Sequence, residues 1–423
     1  MNEPSHTGAP LGETAGIRPA KRLAKLSLYC LLVSMAAFFS LIIQMKFIRI
    51  IGMGPGFEPV SVAKSLATKG TFADPFSGPT GPTAHVAPLW PFMLAGLYRA
   101  APDEQYFRFS ALLLTMLLHV LNVLLLFLLS GKLFQNPMSQ LGTLALALVV
   151  PLYQVIPAEE AICVSTGLLA FWLLARRHKA VMCGMFGGLL LLLNPSLLTI
   201  LVPIAIYEWK RANSIALFLA VMFLVITPWE VRNYQVFHKL FFIRDNLGLE
   251  LDAYNNDCEV SGTGECNPHP VLSAAERAKV AEMGEVPYNQ MRLGHVAAWF
   301  KAHPGAALGL IARRIARFWF PISGSGPFGF GITLVTAVSA WGFWCMFRNR
   351  LKLLWPMLAI LVLYPPIYYL VRFDLRYRYS ILWVSILAGG YGLARLMESA
   401  GFGNRQAMLP AAAAGPSQAD AGR

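Results

Sequence analysis

Gly56-Phe57-Glu58-Pro59 follows the first long apolar run, residues 26–48. A carboxylate just beyond a membrane span sits at the membrane surface, where it can meet a lipid-linked substrate and still be reached by water. There it can take a proton from an attacking hydroxyl. Cations at the same level could stabilise a departing phosphate. Arg376 and Arg378 open the last apolar run and are the first candidates; Arg372 and Arg232 are weaker versions of the same idea, and Lys64 is weaker again. In an extended segment Arg376 and Arg378 would face the same way, and on a helix they would not. The alternative for both is interfacial snorkelling. His85 could bind a substrate phosphate or sugar, although a lone loop histidine is more often structural. Glu159 and Glu160 follow Pro157 at the outer end of a span. Side by side they cannot share one helix face. One is a candidate second carboxylate; equally, the pair could simply complement a helix N-terminus.

No cofactor is expected. His269, His295 and His303 lack metal-ligand spacing, so a divalent metal is not implied. Gly52, Gly54 and Gly56 alternate before Glu58 without the strand and helix that a nucleotide loop needs. Of six cysteines, Cys30, Cys163, Cys183 and Cys345 lie in or beside apolar runs and read as packing residues. Cys258 and Cys266 share a polar loop placed outside the cytoplasm, where a disulfide could persist.

The elements that must position these residues are membrane helices. The 423-residue chain is 56% hydrophobic and 13% charged, with a mean hydropathy of +0.53. That composition fits a polytopic membrane protein and excludes an ordinary soluble domain. The formal charge of +13 lies in clusters between apolar runs, as in cytoplasmic loops, and does not point to nucleic acid. The polar N-terminus with its Arg18–Arg22 basic patch reads as a signal anchor, not a cleaved signal peptide.

Apolar runs lie at 26–48, 109–134, 139–157, 160–177, 181–208, 213–230, 325–347, 351–371 and 377–397. Asn194-Pro195 breaks the run 181–208 in two, because proline removes a helix hydrogen bond. That break reconciles the basic clusters on either side and makes about ten transmembrane helices with both termini cytoplasmic. The division is then a tail over 1–25, a membrane domain over 26–397 and a tail over 398–423, the end of which is expected to be disordered. The segments 49–108, 157–160, 231–324 and 373–379 face outside. Within them, Ser273 and Glu276 form a capping box for a helix reaching about residue 300. Residues 304–320 form an interfacial helix with Arg313, Arg314 and Arg317 on one side.

Four stretches, in order, resemble the GT-C class of membrane glycosyltransferases, in particular its bacterial protein mannosyltransferase, aminoarabinose transferase and Rgt-like branch. They are Glu58 with the block from Pro82 to Pro91, Gly187-Gly188-Leu189 through Asn194-Pro195, Pro228-Trp229-Glu230-Val231-Arg232-Asn233-Tyr234, and Arg376-Tyr377-Arg378-Tyr379. The resemblance covers residues 26–397. It implies an all-α polytopic fold and a polyprenyl-phosphate sugar donor. It also implies inverting transfer to an envelope lipid, polysaccharide or protein, with an acidic residue of the first loop as base, at a bacterial inner membrane. The chain departs from the pattern in having Glu58 where Asp is common, and Asn194 where an arginine is usual. It also lacks the large C-terminal soluble domain of some relatives. The alternatives are a lipid or glycolipid transporter, which predicts ionisable groups in mid-membrane, and a non-catalytic scaffold of the same fold.

Overall fold

The computed structural model describes residues 29–40, 42, 57–76, 78–149, 160–263, 267–322 and 326–401. Glu159, Cys266, Gly52, Gly54, Gly56 and both chain ends fall outside these residues. Every regular element among them is a helix; the strand-like pairing is a single bridge, Ala73 to Pro82. The first described helix is α1 (Tyr29–Ser40). Then come α2 (Phe57–Lys69), α3 (Leu89–Ala100), α4 (Glu104–Phe134), α5 (Pro137–Val149), α6 (Glu160–Ala175), α7 (Ala180–Leu191), α8 (Leu198–Trp209) and α9 (Ala212–Phe237). A set of shorter helices follows: α10 (Leu247–Tyr254), α11 (Asp257–Ser261), α12 (Ala274–Met283), α13 (Glu285–Ala302) and α14 (Pro304–Trp319). The last four are α15 (Gly326–Arg348), α16 (Leu354–Leu363), α17 (Pro366–Leu370) and α18 (Leu375–Ser399).

Among the described residues, four helices, α4, α9, α15 and α18, are long and apolar enough to cross a membrane. Others, such as α1, α6, α7 and α8, are apolar but shorter. Glycine lets the central helices touch backbone to backbone. A Cβ on Gly342 of α15 would lie 1.8 Å from the Ala388 carbonyl oxygen of α18, and one on Gly390 of α18 would meet Thr143 of α5. Close approach of this kind is how helices associate where lipid removes the hydrophobic drive. Midway along α4, His119 is buried against this bundle, and one turn on Asn122 donates to Ser165 Oγ and Thr166 Oγ1 of α6.

Several boundaries follow local chemistry. The run 181–208 breaks at Asn194, whose side chain caps a 3-10 turn by accepting from Ser196 N at 3.1 Å. The helix expected from Ser273 has its cap, with Ser273 Oγ accepting from Glu276 N. It then splits at Gly284, which has φ +83°, a value that suits glycine. The run 351–371 also splits, into α16 and α17, because Pro365 and Pro366 supply no N–H. The helix of run 213–230 continues to Phe237, so Trp229, Arg232 and Asn233 are helical, not the start of a loop. On α14 the three arginines do not share a face. Arg313 and Arg317 are exposed, and Arg314 is buried, donating to Asn255 Oδ1 at 3.0 Å and to the backbone oxygens of Tyr254 and Leu370.

Candidate active site

Six stretches of the chain meet at one cavity of about 720 Å³. Glu58 and Pro59 come from α2, His85 from the segment that leads into α3, and Trp90 from the first turn of α3. Glu160 comes from α6, and Asn194 and Ser196 from the break before α8. Arg244, Glu250 and His269 come from the α9–α12 region, Tyr368 from α17, Arg372 from the segment after it, and Arg376 and Tyr377 from α18.

Glu58 is not in a loop. It occupies the first turn of α2, where the helix dipole favours a carboxylate, and it lines the cavity. Its Oε1 lies 3.7 Å from His269 Nε2. His269 Nδ1 accepts from Val271 N at 3.3 Å, which puts the ring proton on Nε2, toward Glu58.

The loop that carries His85 is folded by Asp74. That residue adopts φ 61°, and its Oδ1 accepts from Thr80 N and Gly81 N at 3.0 Å each. Glu285 of α13 grips the loop from below, bonding Thr83 Oγ1 and accepting from Ala84 N at 2.6 Å. Arg244 Nε donates to the His85 carbonyl at 2.9 Å. His85 is thus buried with its ring edge-to-face on Phe76 at 4.8 Å. Burial, with the nearby Arg244 guanidinium, holds its imidazole well below pH 6.5, so the ring is neutral at pH 7. Its Nε2 lies 3.9 Å from Glu250 Oε1, and with a neutral ring this is a polar contact and not an ion pair.

Glu58, His85 and His269 each offer an atom within 4.8 Å of the others, a spacing that a divalent ion could close. One bond opposes that. A metal on His269 Nε2 would need the proton on Nδ1, facing the Val271 N–H that now donates to it.

The phosphate candidates divide. Arg372 and Arg376 line the cavity. Arg372 Nη1 donates to Tyr254 OH at 2.7 Å, and Arg376 Nε lies 3.8 Å from Asp374 Oδ2. Arg378 does not line it. Asp374 caps α18 ahead of both arginines, so they are helical and diverge. Arg378 is fully buried, stacked 4.9 Å over Trp319, with Nη2 donating to Ser385 Oγ at 2.8 Å. Arg232 is likewise outside the cavity; it donates to the Thr83 and Phe72 carbonyls at 2.8 and 3.1 Å and packs over Trp229. Lys64 pairs with Glu104 at 2.8 Å, tying α2 to α4 away from the site. Cys258 is in a disulfide, and Cys30, Cys163, Cys183 and Cys345 are free.

Arg244, Glu250 and Glu285 were not singled out by the sequence. Glu250 sits four residues after Asn246, whose Nδ2 donates to it at 3.3 Å, a helical pairing visible only once α10 is known. Asn194, read as a missing arginine, has a role of its own. It caps the turn and, with Ser196, reaches Tyr368 OH, which Ser196 Oγ approaches to 3.1 Å. No protein-family model matches the chain, and no curated protein matches it.

Proposed function

We propose that the protein is an integral-membrane glycosyltransferase of GT-C type. It would move a sugar from a polyprenyl-phosphate donor to a cell-envelope acceptor at the outer face of a bacterial inner membrane, through about ten crossings with both termini inside. One observation carries the reading: Glu58, from the first polar segment, lines the same cavity as Arg372 and Arg376, from the start of the last span. The Glu58 carboxylate takes the proton of the acceptor hydroxyl. The acceptor oxygen attacks the anomeric carbon from the face opposite the phosphate, the bond from carbon to phosphate oxygen breaks, and the configuration inverts. Arg372 and Arg376 stabilise the charge that grows on the lipid phosphate. Exposed Leu363 and Ile367, lining the cavity beside those arginines, supply an apolar path for the lipid.

The transporter alternative has one observation in its favour: buried His119 in mid-helix, since an intramembrane ionisable group is a functional candidate. Purified protein in proteoliposomes separates the two readings. The glycosyltransferase reading expects labelled sugar to appear on an acceptor, and Glu58→Gln to stop that. Movement of intact labelled donor across the bilayer without covalent transfer would favour the transporter.

A further inference from the structure

We infer that the cavity has two ports for amphiphiles, and that the second, built on the 238–247 segment, takes an anionic lipid as the acceptor. This names the acceptor class within the glycosyltransferase reading and rests on it. The cavity has a cation beside an apolar lip in two places. The first pairs Arg372 and Arg376 with Leu363 and Ile367, on helices that belong to the apolar bundle. The second pairs Arg244 with Phe242, Leu247 and Leu272, all of which line the cavity and are exposed.

The second lip lies outside the helices of spanning length. Phe242 is 42% exposed, Leu247 47% and Leu272 71%, and Leu240 beside them reaches 80%. His238 and Lys239 are exposed next to Leu240. Basic groups alternating with bare apolar side chains match an anionic headgroup attached to an acyl chain. A polar glycan or a soluble polypeptide would gain little from these side chains.

Arg244 supplies the headgroup contact. Its Nε is spent on the His85 carbonyl, and its two Nη groups have no partner among the described residues. By contrast, Arg372 is engaged by Tyr254 and Arg376 by Asp374 and Tyr377. The same bond to His85 sets Arg244 beside the histidine whose loop adjoins Glu58, so a headgroup held there presents its hydroxyls to the base.

The test is a count of bound ligands. Native mass spectrometry of the full chain, released from a neutral detergent and titrated with dodecyl phosphate, is expected to show two equivalents. Arg244→Ala weakens one of them about tenfold or more, by loss of charge-assisted hydrogen bonds. Phe242→Ser with Leu272→Ser weakens that same equivalent and leaves the His85 bond intact, so a fault in folding is told apart from a lost site. Arg376→Ala weakens the other. One equivalent on the wild-type chain would overturn the inference, as would both sets of variants acting on a single site. Inorganic phosphate binding at Arg244 as tightly as dodecyl phosphate would also overturn it. The count involves no sugar transfer, so it fails or holds separately from the assignment of Glu58.

Discussion

Glu285 offers a pH prediction whose sign can be worked out. Its carboxyl is buried and pushed up to about 8, chiefly by loss of water and also by nearby Asp245, against the bonds from Thr83 and Ala84 and the charge of Arg232. In an unfolded chain the same group ionises near 4.5. Between these values the folded state holds a proton that the unfolded state has released, so stability is greatest at low pH and falls as pH rises toward 8. The slope for one such group is roughly 1 kcal/mol per pH unit. From pH 6.5 to 8 the loss is then roughly 1–2 kcal/mol, or a few degrees in melting temperature. Asp245, pushed up to about 6 by burial, titrates mostly below that window. Glu285→Gln keeps an oxygen to accept from Ala84 N and cannot ionise, and the Thr83 hydroxyl, which donates to Glu285 in the wild-type chain, can turn to accept from the amide nitrogen. Melting in detergent from pH 6.5 to 8 is therefore expected to fall for the wild-type chain and to be nearly flat for this variant. Parallel profiles would refute the reasoning. Glu285→Leu strands buried polar groups at about 1–3 kcal/mol each and is expected to lower melting at every pH.

Gly342→Ala is expected to cost about 2 kcal/mol or more, because the new Cβ meets backbone on α18, whereas Gly96→Ala, with nothing within 4 Å, is expected to be neutral; melting of both checks this. Arg376→Ala is expected to slow transfer about tenfold or more, while Arg378→Met, a packing replacement outside the cavity, changes it by less than about twofold, as initial rates would show. With Glu58 as a base and the His269 proton on Nε2, a chelator is expected to leave the transfer rate unchanged; loss of rate, restored by a divalent ion, would place a metal on Glu58, His85 and His269 instead.

Local signals were legible where one residue dictates the backbone. Asn194-Pro195 broke its helix, Ser273 capped one, and all-helical character followed from composition. Glu58, Arg372 and Arg376 were found from residue type and distance to an apolar run, and all three line the cavity. Arg378 and Arg232 carried the same signals and lie outside the cavity. The direction of a helical side chain depends on where its helix starts, and Asp374, which caps α18, decides that for Arg378. Arg314 was misplaced for a related reason. A pattern of charges shows a polar face but not which carbonyls the neighbouring turns leave free, and the Tyr254 and Leu370 carbonyls draw Arg314 inward. His269, Glu250 and Arg244 owe their place to tertiary contacts with a loop some 160 residues away or more, as in the Arg244 bond to His85 (159 positions), and no local spacing encodes that.

The central claim is that Glu58 removes the acceptor proton. Single-turnover transfer from a radiolabelled polyprenyl-phosphate sugar, with donor affinity measured in parallel, tests it most directly. Glu58→Gln is expected to lower the transfer rate about 100-fold or more, the usual scale for losing a general base, while donor affinity stays within about twofold. Transfer by Glu58→Gln at the wild-type rate, with donor bound equally well, would contradict it.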